Sequence, residues 1–93
     1  MRTIERSTAF KRDYKREMKG VHRLVLEELI RFLLIILIED KQPGPRYRDH
    51  ELSGNWAGYR ECHLKPDLLL IYQKSTSDVL RLARLGSHSE LFG

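Results

Sequence analysis

An α+β fold in the order β-α-α-β-β-β, with an antiparallel sheet and two helices packed on one of its faces, follows from three observations on this 93-residue chain. Apolar residues recur at helical spacing between Phe10 and Asp40. A proline- and glycine-rich stretch then breaks all periodicity, and beyond it lie short alternating segments separated by tight turns.

Taken in order, Thr3 to Arg6 is short and β-permissive, and Ser7 behind it suits the N-cap of a helix starting at Thr8. Phe10, Tyr14 and Met18 recur every four residues, with Lys11, Arg12, Lys15, Arg16 and Lys19 on the other faces. This helix is amphipathic with a basic exterior and ends near Gly20. A second helix is expected from about His22 to Asp40, burying Val25, Leu29, Phe32, Leu33 and Ile36 and pairing Glu27 with Arg31 outside. Its second half, FLLIILI, has no polar face and also reads as a buried strand, but Leu24, Leu26, Glu27, Glu28 and Leu29 upstream favour helix. As a helix it leaves Leu34, Ile35 and Ile38 to be covered by another part of the chain or by a partner.

KQPGPRYRDHELSGNW is loop by composition. Gly58 to Lys65 alternates, with Tyr59, Glu61, His63 and Lys65 on one side and Arg60, Cys62 and Leu64 on the other. Asp67 to Lys74 is more uniformly apolar, as a central strand would be, and STSD turns the chain into a last strand, Val79 to Leu85. Strands joined by such short turns form an antiparallel meander, whose second face is left to water or ligand.

The length fits a single domain spanning residues 1–93. Nothing at the N-terminus reads as a signal peptide, and the lone Cys62 suits a reducing compartment, so a cytoplasmic protein is expected. Membrane insertion is not expected, because the longest apolar run, Phe32 to Ile38, falls far short of the roughly 20 residues a spanning helix needs. The formal net charge is +4. Residues 2–23 hold eight Lys/Arg against Glu5, Asp13 and Glu17, a local excess of five that would attract nucleic-acid phosphates or an acidic protein.

Of the four histidines, His50, His63 and His88 lie in the C-terminal half beside turns or strand ends, and Asp67 stands just across a turn from His63. Imidazoles so grouped suit acid-base chemistry near neutral pH. They are also a ligand set, but HExxH and CxxC are absent and Cys62 and His63 point to opposite faces, so no metal or cofactor is expected. Cys62 shares its parity with Leu64 and belongs to the core, and GSHSE lacks the G-x-S-x-G turn of a serine hydrolase. Trp56 and Tyr59 read either as stacking platforms for bases or as a lid on the core. Basic helix, aromatics and histidines together point to RNA.

DHxLxG, YRxxHxxPDxLLIY and RxGxHxxLF, in that order, span nearly all of residues 46–93. This combination resembles the YafQ-like branch of the RelE/ParE superfamily of bacterial type II toxin-antitoxin systems; residues 1–45 match only in helical layout and charge. The resemblance implies a RelE-like fold, an endoribonuclease cleaving mRNA on the ribosome, and a cognate acidic antitoxin of RelB/DinJ type. It puts the functional positions on His50, His63, Asp67 and His88, with the terminal aromatic on Phe92. Leu68 stands where some relatives carry an aromatic. On this reading His88 is the general acid, His50 or Asp67 the base, and His63 orients the phosphate or shares in proton transfer. Arg84 is the expected phosphate ligand, with Arg81 on its side of the strand, while Lys11, Arg12, Lys15 and Arg16 face ribosomal RNA or the antitoxin. The alternatives are a ParE-like inhibitor of DNA gyrase without chemistry of its own, and a binding module with no activity.

Overall fold

Five strands form one sheet in the order β1-β5-β4-β3-β2, where β1 is Thr3–Arg6, β2 His50–Glu51, β3 Arg60–Lys65, β4 Leu68–Thr76 and β5 Val79–Gly86. The structure, a computed structural model, describes residues 2–76 and 78–93; the expected STSD turn includes Ser77, outside the described residues. β2 to β5 pair antiparallel, as the meander requires. The sheet is nonetheless mixed, because β1 lies parallel to β5, with Thr3 opposite Val79 and Arg6 opposite Leu82. Parallel neighbours need a long crossover, and here everything between β1 and β5 serves as one.

Helix α1, Thr8–Glu17, starts where Ser7 accepts a hydrogen bond from the Phe10 N–H at 2.9 Å. Its buried side holds Phe10, Asp13 and Glu17, whereas Met18 is 39% exposed, against the expected Phe10-Tyr14-Met18 stripe. Helix α2, Leu26–Ile38, confirms the helical reading of FLLIILI but starts later than His22, after a run of turns. It buries Leu26, Ile30, Leu33 and Leu37, while Phe32 is 62% exposed. With every position from Phe32 to Ile38 apolar, the sequence of that half does not select a stripe, and contact with the sheet does.

Both helices lie on one face, packed on Cys62, Leu64, Leu70, Tyr72, Leu82 and Leu85. Each large side chain buried there contributes roughly 1.5–3 kcal/mol. The opposite face is not bare. A third helix, α3 (His88–Phe92), sets Leu91 on Leu69, Ile71 and Ala83, with Leu52, Trp56 and Tyr59 at the margin. Strand β4, in the middle, is therefore buried on both sides, which its unbroken LLLIY reflects. Among the described residues no helix is long and apolar enough to cross a membrane.

Candidate active site

Residues in register across a sheet share a face, so two rows can be drawn on the side away from α1 and α2. His50, Glu61 and Ile71 stand abreast in one, and His63, Leu69 and Gly86 in the next. Glu61 is the junction. One carboxylate oxygen, Oε2, lies 3.1 Å from His50 Nε2 and 3.5 Å from His63 Nε2. The Glu61 side chain is only 6% exposed, and its Oε1 is buried without a hydrogen-bond partner. His50 Nδ1 sits 2.8 Å from the Arg48 carbonyl, which can only accept. Both ring nitrogens of His50 thus face acceptors.

The loop residues before His50 fix its position. Arg48 adopts the left-handed conformation (φ 48, ψ 40), which costs a non-glycine residue about 1–2 kcal/mol. Asp49 then turns to the helix side of the sheet, where its carboxylate accepts hydrogen bonds from Arg60 Nε at 2.6 Å, Cys62 Sγ at 2.9 Å and the Tyr72 hydroxyl. Burial raises the Asp49 pKa, but these three donors and the Arg60 charge outweigh it and hold the carboxyl below its ordinary value. Burial, reinforced by the neighbouring carboxylate, pushes the Cys62 thiol up, so it is no nucleophile.

His88 is placed by α3, a single turn built by a capping box. The Ser87 hydroxyl accepts from the Glu90 N–H at 3.2 Å and the Glu90 carboxylate from the Ser87 N–H at 2.8 Å. That backbone bond is the main reason the Glu90 carboxyl titrates below its usual value. A Cβ at Gly86 would meet Arg16 Nη2 at 2.6 Å and Glu90 Oε1 at 3.0 Å, so a larger residue there would have to push the Arg16–Glu90 pair aside. Arg16 ties α3 to α1, pairing with Glu90 at 3.1 Å and donating to the Leu85 carbonyl at 2.8 Å. Asp13 accepts from the Leu85 N–H at 3.0 Å and from Arg84 Nε at 2.7 Å. The rings of His88 and Phe92 lie 5.0 Å apart. Between them and His50 opens a groove of about 470 Å³, lined also by Trp56, Glu61 and Leu91.

Of the expected residues, His50, His88 and Phe92 surround this groove, and His63 joins through Glu61. Asp67 is exposed at the β3–β4 turn and does not line it. Arg84 is held by Asp13, and Arg81 pairs with Glu5 at 3.3 Å, so each expected phosphate cation already has a carboxylate. On α1, Lys11, Arg12 and Lys15 are exposed, whereas Arg16 is engaged with Asp13, Glu17 and Glu90. The residues that the sequence reading passed over are Glu61 and Asp49. Glu61 shares strand parity with His63, and Asp49 precedes His50 in DHxLxG, so both signals were present.

The family model for the bacterial toxin of type II toxin-antitoxin system, YafQ, matches residues 2–93. The chain belongs to the YafQ family. It is 41% identical over 93 residues to the mRNA interferase toxin YafQ of Escherichia coli K12, covering 99% of this chain and 97% of that one. Among solved structures, the E. coli DinJ-YafQ complex superimposes with a TM-score of 0.84 at 38% identity, covering 100% of both chains. A metal-bound toxin from Helicobacter pylori gives a TM-score of 0.87 at 45% identity, covering 99% of this chain and 100% of that one. In this YafQ-family chain the His50 and His63 imidazoles both address a single carboxylate oxygen at hydrogen-bond distance, and among the described residues no three His, Cys, Asp or Glu side chains form a ligand group.

Proposed function

We propose that this chain is an mRNA interferase, a ribosome-dependent endoribonuclease that cleaves message by metal-independent acid-base chemistry and is held inactive by a cognate acidic antitoxin. The observation that carries the reading is the groove with His50 and Glu61 on one side and His88 and Phe92 on the other. Of the two expected bases, His50 lines the groove and Asp67 does not, which favours His50. His50 removes the proton from a ribose 2′-OH, and the oxygen attacks the adjacent phosphorus. The proton is taken up at His50 Nε2, where the Glu61 carboxylate 3.1 Å away stabilises the imidazolium while Nδ1–H donates to the Arg48 carbonyl. His88 protonates the departing 5′-oxygen, leaving a 2′,3′-cyclic phosphate and a 5′-hydroxyl. Phe92 stacks on a base beside the cut, and His63 orients the phosphate.

The exposed cations Lys11, Arg12 and Lys15 suit ribosomal RNA. An apolar groove of about 670 Å³ between α1 and α2, floored by Phe10 and Ile30 and rimmed by Lys11, Lys15 and Arg31, suits an acidic amphipathic antitoxin segment. Its occupation would cover two of those same cations. Primer extension on message from cells expressing the chain tests the proposal: discrete cuts that disappear with His88→Ala are expected. Intact message with DNA damage would instead support a gyrase inhibitor.

A further inference from the structure

Apart from that groove, a second hollow of about 410 Å³ is lined by His63 with Arg46, Arg48, Leu64, Lys65 and Pro66. β2 pairs only with Arg60 and Glu61, so the outer edge of β3 past that point meets no strand, and the Pro45–Tyr47 turn packs there instead. The hollow holds three cations and no carboxylate. Arg46, Arg48 and Lys65 are exposed; Arg46 lies over the Tyr47 ring at 5.0 Å, and among the described residues none of the three side chains is in an ion pair. They differ in this from Arg16, Arg60, Arg81 and Arg84, each matched to an acid. The strained backbone at Arg48 belongs to the same hollow, and its carbonyl holds His50. One residue therefore contributes a cation here and positions the proposed base.

We infer that this hollow is a nucleotide subsite, taking the RNA backbone phosphate next to the one cleaved, with Arg46, Arg48 and Lys65 as its ligands and His63, which reaches the reaction groove through Glu61, in its wall. The inference rests on the ribonuclease reading. A message lying across Glu61 and His63 leaves the groove on this side, and unpaired cations are what a backbone phosphate needs, since its affinity comes from charge and counterion release. A single-stranded contact also agrees with a hollow large enough for one nucleotide.

The test uses the full chain and a mixed-sequence RNA tetranucleotide with 2′-deoxy at the ribose to be cut, which the chain cannot cleave. Backbone amide shifts of residues 46–48 and 63–66 should move on titration. Arg46→Gln, Arg48→Asn and Lys65→Gln combined should weaken binding by roughly tenfold or more and flatten its log-log salt dependence by about 2. Asparagine tolerates the left-handed backbone at position 48, so that change removes charge without adding strain. Lys65→Glu alone, on an exposed side chain, gives an independent reading should the triple variant fold poorly. The inference is overturned if the tetranucleotide moves only amides of the His50–His88 groove, if both variants bind as the parent does, or if an acidic peptide occupies the hollow while RNA does not. Cleavage of ribosome-bound message by the parent chain is scored in parallel. No cleavage removes the ribonuclease reading and the subsite with it; cleavage with unaltered variant binding removes the subsite alone.

Discussion

The two faces of the sheet are built to opposite rules. On the helix side, Leu26, Leu33, Leu37, Leu70 and Leu82 are wholly buried, and the one carboxylate that enters from the loops, Asp49, meets three donors. On the other side the apolar patch is small, and next to it a buried carboxylate, Glu61, keeps one oxygen without a partner. An unsatisfied buried oxygen costs about 1–3 kcal/mol. The fold tolerates that cost on the face where chemistry is proposed and, among the described residues, at no side-chain atom on the face that holds it together. Stability and reactivity are thus separated by the thickness of one strand layer, with Asp49 and His50, adjacent in sequence, each serving a different face.

The sharpest test of that division is His88→Ala, expected to lower message cleavage by about 10²- to 10⁴-fold while leaving the melting temperature nearly unchanged, measured by primer extension and thermal denaturation. Asp49→Ala should break the division, because it strips a buried acceptor from Arg60, Cys62 and Tyr72 and releases the loop that aims His50. A loss of about 3–5 kcal/mol in urea denaturation is expected together with lost cleavage; a fully active, stable variant would sink the account of that loop. Leu33→Ala, on the helix side alone, should cost about 2–5 kcal/mol in the same denaturation with cleavage per folded molecule unaltered. Glu61→Gln keeps the shape but cannot stabilise a proton on His50. Cleavage should fall on the order of tenfold with a changed pH profile, and an unchanged profile would show that Glu61 is only packing.

The smallest effect is acid sensitivity. Asp13 and Asp49 both titrate below their ordinary value in the folded chain, Asp13 because hydrogen bonds from Arg84 and Leu85 overcome its burial. Their contribution is complete above the unfolded carboxylate pKa of about 4 and is lost as pH falls through the lower folded values. Melting temperature should drop below about pH 4, and Asp49→Asn should flatten that part of the curve.

Much of this was legible in the sequence, for identifiable reasons. Short turns between alternating segments dictate the meander, and Ser7 marks the start of α1 directly, whereas the capping box of Ser87 and Glu90 starts a third helix that the β-α-α-β-β-β order did not include. The stripe of α2 past Arg31 was not legible, since the all-apolar run from Phe32 to Ile38 carries no phase. Nor was the burial of Asp13 and Glu17, which depends on arginines that are distant in sequence or shared with other acids. The parallel pairing of β1 joins residues 76 apart, such as Thr3 and Val79, and leaves no local trace. In the site, the histidines announced themselves by type and spacing. Glu61 did so only through its parity with His63, because an acid in an alternating strand otherwise reads as solvent-facing.

The way α1 meets β5 has a further effect. Past Arg6, β1 no longer accompanies β5, and a naked strand edge would invite another chain to pair with it. Instead the Asp13 carboxylate and the Arg16 guanidinium bond the N–H and C=O of Leu85, imitating the backbone of a missing strand. That edge is closed to strand addition, by an inhibitor's extended segment or by a second toxin molecule alike. A chain seeking to lengthen this sheet is turned toward the outer rims of β1 and β2, and the tail bearing His88 is spared the competition.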